Sequence, residues 1–358
     1  MDNWVFKLES WFNKSQRTMP WRTHSSPYYT WISEIMLQQT QVVTVIPYFE
    51  RFITLFPTLE DLAKANQDSV LKAWEGLGYY SRARNLHKAA KVICESFNGI
   101  IPNDYTEIQK IPGIGPYTGA AIVSIAYEIP VSVVDGNVLR VFSRFWGIYD
   151  DIRLPKVRDV LFKKLNAYVG QIKPSVFNQA IMELGALICT PKKPKCTDCA
   201  LGDDCFANKF LKQTDLPVKS KSKPVPTYNI VVGLIYFNNK LLIAKRKEEK
   251  MLGGLWEFPG GKINDNESEK QALIREVQEE VNLDITITQK LGTIKHAYSH
   301  FKINLHAYIC SSITKEAVAI SASKLEWINE NKLDNYAFPT ANKKLFKLLK
   351  KHSLFNSK

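Results

Sequence analysis

The sequence predicts two domains of different class: an all-α domain over residues 1–212 and an α+β domain over 228–358. Three observations carry this. Apolar residues keep helical spacing up to about residue 212. The text then becomes Asp-Leu-Pro-Val-Lys-Ser-Lys-Ser-Lys-Pro-Val-Pro over 215–226, a basic linker with no periodic apolar face, bounded here as 213–227. After it the period changes to that of strands. At 358 residues the chain also exceeds one ordinary domain.

The elements follow in order. Trp4, Leu8, Trp11 and Phe12 make the first amphipathic helix, and Leu86, Ala89, Ala90 and Ile93 a later one. Thr58-Leu59-Glu60-Asp61 and Asp104-Tyr105-Thr106-Glu107 combine a capping residue with acidic first-turn chemistry, so each starts a helix. Beyond the linker, strands are expected over Tyr228 to Phe237, Leu241 to Arg246, Ile285 to Ile294 and Lys302 to Cys310, with Asn238-Asn239 as a hairpin turn. Helices are expected over about 268–281 and 341–349.

The chain has 48 Lys and Arg against 35 Asp and Glu, a net charge of +13 that favours a polyanionic partner. No apolar run reaches membrane-spanning length and no signal peptide is evident, so a cytoplasmic protein without membrane contact is expected. Cys94 and Cys310 lie in apolar patterns and read as reduced core thiols.

The other four cysteines, Cys189, Cys196, Cys199 and Cys205, are spaced C-x6-C-x2-C-x5-C among prolines and lysines. Four thiolates on a short loop hold a zinc ion or an iron–sulfur cube, and one tight pair flanked by wider gaps suits the larger group. Upstream, Ile111-Pro112-Gly113-Ile114-Gly115-Pro116-Tyr117-Thr118-Gly119 is a glycine turn feeding a helix of small residues. Gly113 and Gly115 let backbone approach a ligand, and amides at a helix start suit phosphate. In Val133-Val134-Asp135-Gly136-Asn137, Asp135 sits at a helix N-cap.

These strings resemble the helix–hairpin–helix DNA glycosylases of the endonuclease III superfamily. The resemblance implies that the hairpin grips DNA phosphates and that the cysteine loop carries a [4Fe–4S] cluster. Two positions narrow it. Where glycosylase/lyases carry a Schiff-base lysine, this chain has Tyr117, so lyase chemistry by that route is excluded. Glu34, in Trp31-Ile32-Ser33-Glu34-Ile35-Met36-Leu37-Gln38-Gln39-Thr40-Gln41, and the string Gly76-Leu77-Gly78-Tyr79-Tyr80-Ser81-Arg82-Ala83-Arg84 are similar to adenine glycosylases of the MutY type. That family implies Glu34 as general acid toward adenine and Asp135, held by Asn137, as the ionised group beside the sugar. Tyr117 assists at the same centre. An oxocarbenium-like transition state wants this pair, one carboxyl protonated and one charged. The same resemblance implies base flipping, with Gln39 near the estranged base and Tyr79 as a wedge.

In the second domain, Gly261-x5-Glu267-x7-Arg275-Glu276-Val277-x-Glu279-Glu280-x-Asn282-Leu283 resembles the Nudix box, with Asn282 where the pattern has Gly. Asn tolerates the left-handed backbone that a helix end needs. Glu276, Glu279 and Glu280 fall at i, i+3 and i+4, the spacing of a candidate Mg²⁺ site. Tyr298-Ser299-His300 resembles the Phe-Ser-His loop with which the family reads 8-oxoguanine. The resemblance therefore implies a monomer acting on double-stranded DNA with 8-oxoguanine·A or G·A pairs, in a bacterial, nucleoid-associated setting. It also implies a replication-clamp contact through the linker. The alternatives are the same glycosylase with Nudix hydrolysis of oxidised dGTP, and a thymine mismatch glycosylase. Lys14, Arg17, Arg22, Lys72, Arg82 and Arg84 read as phosphate contacts or solvated surface, and Lys343, Lys344, Lys347, Lys350 and Lys351 as a soluble face.

Overall fold

The computed structural model describes residues 4–23, 26–220 and 224–356, with side chains as far as Lys351. The first three residues and linker residues 221–223 lie outside the described residues. The chain divides into two compact units, residues 1–64 with 85–222, and residues 65–84 with 223–358. No helix among the described residues is long and apolar enough to cross a membrane.

The first unit is helical. Helix Pro27–Leu37 starts at Ser26, whose side chain accepts from Tyr29 N–H at 3.1 Å, and has Pro27 at its first position. Eight of its residues are buried, from Tyr28 and Thr30 through Met36, so it is a core helix with almost no polar side. It packs against helix Pro116–Tyr127, where Ala120 and Ala121 allow close approach. A second core joins helices Trp4–Ser15, Gly136–Trp146, Pro155–Asn166 and Pro174–Leu187. Trp4 stands at its centre, with ring centroids of Phe142, Phe145, Trp146, Tyr168 and Phe177 all within 6.4 Å. The expected helix starts are present: Asp104 caps Tyr105–Ile108, and Thr58 shares reciprocal hydrogen bonds with Asp61.

The second unit is built on a sheet that has seven strands among the described residues: β1 (Thr227–Phe237), β2 (Lys240–Arg246), β3 (Trp256–Glu257), β4 (Gly260–Lys262), β5 (Thr286–Ala297), β6 (Lys302–Ser311) and β7 (Ala322–Ile328). The main order is β3-β2-β1-β6-β5, with β4 on β1 and β7 on β2. β1 and β6 are parallel and the other pairs antiparallel. Asn238 and Asn239 both take positive φ, 46° and 60°, as a tight hairpin turn requires. Because β1 is central, its residues 231–235 are buried on both faces. Val232 and Leu234 face the core of helix Thr340–Asn356, and Val231 and Ile235 that of helix Glu269–Val281. The latter helix begins in a capping box at Ser268 and ends at Asn282 in the left-handed region, φ 48°. Strands β3, β4 and β7 carry no sequence expectation; β3 and β4, two and three residues long, are too short to show a period.

Residues 65–84 belong to this unit through specific contacts. The Glu75 carboxylate accepts Phe338 N–H at 2.9 Å and pairs with Lys343 at 2.7 Å and Lys72 at 2.6 Å. Asp68 pairs with Lys245 at 2.6 Å.

Candidate active site

Helix Pro27–Leu37 places Glu34 in the first unit, almost fully buried at 6% exposure. Helix Pro116–Tyr127 brings Tyr117, whose hydroxyl donates to Glu34 Oε2 at 2.8 Å. Asp135 caps helix Gly136–Trp146, accepting Val138 N–H on Oδ1 at 2.7 Å and the Asn137 amide on Oδ2 at 2.9 Å. Asn137 in turn accepts from Arg140 at 2.8 Å, and Arg140 donates to the Cys189 carbonyl at 2.7 Å. Glu34, Tyr117, Asp135 and Asn137 all line one cavity of about 680 Å³. That volume lies in the range of ligand pockets.

Burial raises both carboxyls. Burial pushes Glu34 up to about 7; the Tyr117 hydrogen bond and Arg22 oppose this, and the nearby Asp135 charge adds to it. Asp135 is also raised by burial, against the pull of the Val138 and Asn137 amides and Arg140. From sequence, the helix-start amides alone would have been expected to lower it.

Sequence reasoning missed Glu183, the single acidic residue of helix Pro174–Leu187, whose isolation among apolar residues was the available signal. It is 2% exposed and lines the same cavity. Its carboxylate holds Arg17 at 2.8 Å and Arg22 at 2.9 Å, so these arginines are internal counter-charges. Burial would raise the Glu183 carboxyl, but the two arginines bring it below the ordinary value. Gly185, also unremarked, is fixed by packing: a Cβ there would meet Asn137 Cβ at 2.6 Å.

The hairpin glycines differ. Gly113 has φ +79°, and a Cβ would lie 2.7 Å from Asn85 Cβ, so fold alone demands glycine. Gly115 is extended and a Cβ would enter open space, so neither conformation nor packing explains it. Gln39 is exposed with φ 56°, and Tyr79 is half-buried with φ 48°. Non-glycine residues held there store about 1–3 kcal/mol of backbone strain, which clusters at functional sites.

Within the second unit, Tyr79, Tyr298, Ser299 and His300 line one cavity of about 430 Å³. The Tyr79 and Ser299 hydroxyls are hydrogen-bonded, and the Arg82 guanidinium lies 5.4 Å from the Tyr79 ring centre. The side chain is half-buried, whereas its neighbour Tyr80 is buried.

Cys189, Cys196, Cys199 and Cys205 all line one small cavity. Arg144 reaches into it, donating to Cys189 Sγ at 3.4 Å and to the Thr190, Pro191 and Leu216 carbonyls. Among the described residues no three His, Cys, Asp or Glu side chains converge on a single point as ligands of one ion would. Four thiols around one cavity are the donor set of an iron–sulfur cube, which takes one thiolate per iron, and equally of a zinc ion. The Nudix-box carboxylates find partners within the protein. Arg275 pairs with Glu267, Glu276 and Glu279, and Glu280 accepts from Gly260 N–H and the Ser321 hydroxyl. Burial pushes the adjacent Glu257 up to about 7 despite its Arg246 partner.

A family model described as HhH-GPD superfamily base excision DNA repair protein matches residues 32–166, and a NUDIX domain model matches 231–348. The adenine DNA glycosylase of Buchnera aphidicola subsp. Baizongia pistaciae is 35% identical over 345 residues, covering 96% of this chain and 95% of that protein. The human adenine DNA glycosylase is 31% identical over 397 residues, 95% of this chain and 73% of that protein. A solved thermostable thymine-DNA glycosylase is 29% identical at a TM-score of 0.53, covering 57% of this chain and 95% of that one. Similarity that runs through both the helical and the Nudix-like parts places this chain in the adenine DNA glycosylase family.

Proposed function

We propose that this enzyme excises adenine mispaired with 8-oxoguanine or guanine, hydrolysing the N-glycosidic bond without Schiff-base lyase chemistry. The observation that carries the reading is the Tyr117–Glu34 bond inside a cavity also lined by Asp135. Tyr117 occupies Oε2, which leaves Oε1 of a protonated Glu34 to deliver its proton to N7 of the flipped base. As the bond lengthens, positive charge grows on the sugar, and the Asp135 carboxylate stabilises it. The Arg22–Glu183 pair offers donor and acceptor groups to a purine edge. The open space before Gly115 fits a backbone phosphate approaching the helix start.

On this reading the second unit inspects the opposite base. The shared cavity of Tyr79, Tyr298, Ser299 and His300 supports that role, and the internally paired carboxylates favour a Nudix scaffold over a hydrolase. The four cysteines would hold a [4Fe–4S] cluster that supplies a structural core for the basic loop Lys192–Lys195. Four irons and four sulfides per chain by chemical analysis are expected, and zinc instead would overturn the assignment. The reaction itself is tested with alkali-treated duplexes containing one 8-oxoguanine·A or one G·T pair. Cleavage of the adenine strand alone is expected; cleavage of the thymine strand would transfer the assignment to a thymine mismatch glycosylase.

A further inference from the structure

Helix Thr340–Asn356 carries five lysines and no acidic residue. Ala341, Leu345, Phe346 and Leu349 bury its apolar side in the sheet core. The 100° step per residue sorts the lysines into two rows. Lys343 and Lys350 share a flank that meets carboxylates, Glu75 at 2.7 Å and Asp334 at 4.0 Å. Lys344, Lys347 and Lys351, at i, i+3 and i+7, share the other flank and are all exposed. Among the described residues none of these three forms an ion pair.

Lys344 instead donates to His296 Nδ1 at 3.2 Å. Burial, and after it the Lys344 charge, hold that imidazole below its ordinary value, so the ammonium sits beside a neutral ring. Three uncompensated cations along about 10 Å of helix repel one another. The matched flank shows that the same helix accommodates counter-charges. His296 and Thr340 also line the cavity that holds Tyr298, Ser299 and His300, so the unmatched row runs up to the cavity's rim.

We propose that Lys344, Lys347 and Lys351 form a contact surface for the sugar-phosphate backbone of duplex DNA, beside the base read in the cavity. The proposal rests on the reading that this cavity faces DNA. Each phosphate contact contributes about 0.9 to the slope of log affinity against log salt concentration. The full-length protein with Lys344→Gln, Lys347→Gln and Lys351→Gln together is expected to lose about 2–3 from that slope on a lesion-free duplex. Each single Gln variant, which covers the case of a misfolded triple variant, should lose about 0.9. Lys350→Gln, on the matched flank, should leave the slope unchanged. An unchanged slope in the triple and single variants overturns the proposal. The ratio of affinities for 8-oxoguanine·A and T·A duplexes, measured on the same proteins, reports the lesion-reading role separately. A parent protein without preference would remove that role while leaving the slope result to stand alone.

Discussion

Glu34→Gln is expected to slow adenine release by about 10³-fold while making the protein more stable at neutral pH. The rate loss follows from removing a general acid, which typically contributes 10²–10⁴-fold. The stability gain follows from linkage. The Glu34 carboxyl ionises near 4.5 in the unfolded chain and is raised to about 7 in the folded one. Below pH 4.5 it is protonated in both states and contributes no difference. Between 4.5 and 7 the unfolded chain releases the proton first, so stability falls as pH rises, by roughly 3 kcal/mol in full. A neutral glutamine escapes that loss and still accepts the Tyr117 hydroxyl. Denaturant unfolding should therefore show the variant ahead by roughly 3 kcal/mol at pH 8 and level with the parent at pH 4. Single-turnover base release in the parent should fall tenfold per pH unit above about 7, where the proton is lost. Equal stability of parent and variant at pH 8 would show that Glu34 is ionised at no cost and cannot be the proton donor.

Asp135→Asn should reduce base release by about 10³-fold, with affinity for a mispaired duplex preserved within a few-fold, because a fixed charge facing the developing cation is worth 10²–10³. The substitution also meets a local conflict. An asparagine that accepts Val138 N–H through its oxygen turns its NH₂ toward the Asn137 amide donor. Asn137 cannot flip to accept, because its own oxygen is held by Arg140. One hydrogen bond is lost, at about 1 kcal/mol. Single-turnover kinetics and duplex binding on the same preparation check this, and near-parental base release would exclude Asp135 from the chemistry.

Glu34, Asp135, Tyr117 and the segment Tyr298-Ser299-His300 could be singled out in the sequence because each lies in a short contiguous string: a helix start, a glycine turn, a tyrosine where an amine would stand. The helices and long strands were legible for a related reason: an apolar period is written residue by residue in β6 and in the helix at Glu269–Val281, and β1 is a continuous apolar run. Strands β3 and β4 exist only because longer neighbours pair with them, and no period shows in so few residues.

What linear order could not express is which distant charges meet. Arg17 and Arg22 lie about 160 positions from Glu183, and only tertiary packing turns two surface-like arginines into counter-charges. Residues 65–84 read as one more stretch of the helical domain, yet Glu75 and Asp68 bind Lys343 and Lys245 of the sheet unit, which sets Tyr79 against Ser299. The same holds for the matched and unmatched lysines of helix Thr340–Asn356. Residue type and spacing specify local conformation and the chemistry a side chain can perform. Burial and partner, which move Glu34 to neutrality and hold Glu183 ionised, belong to contacts made across the fold.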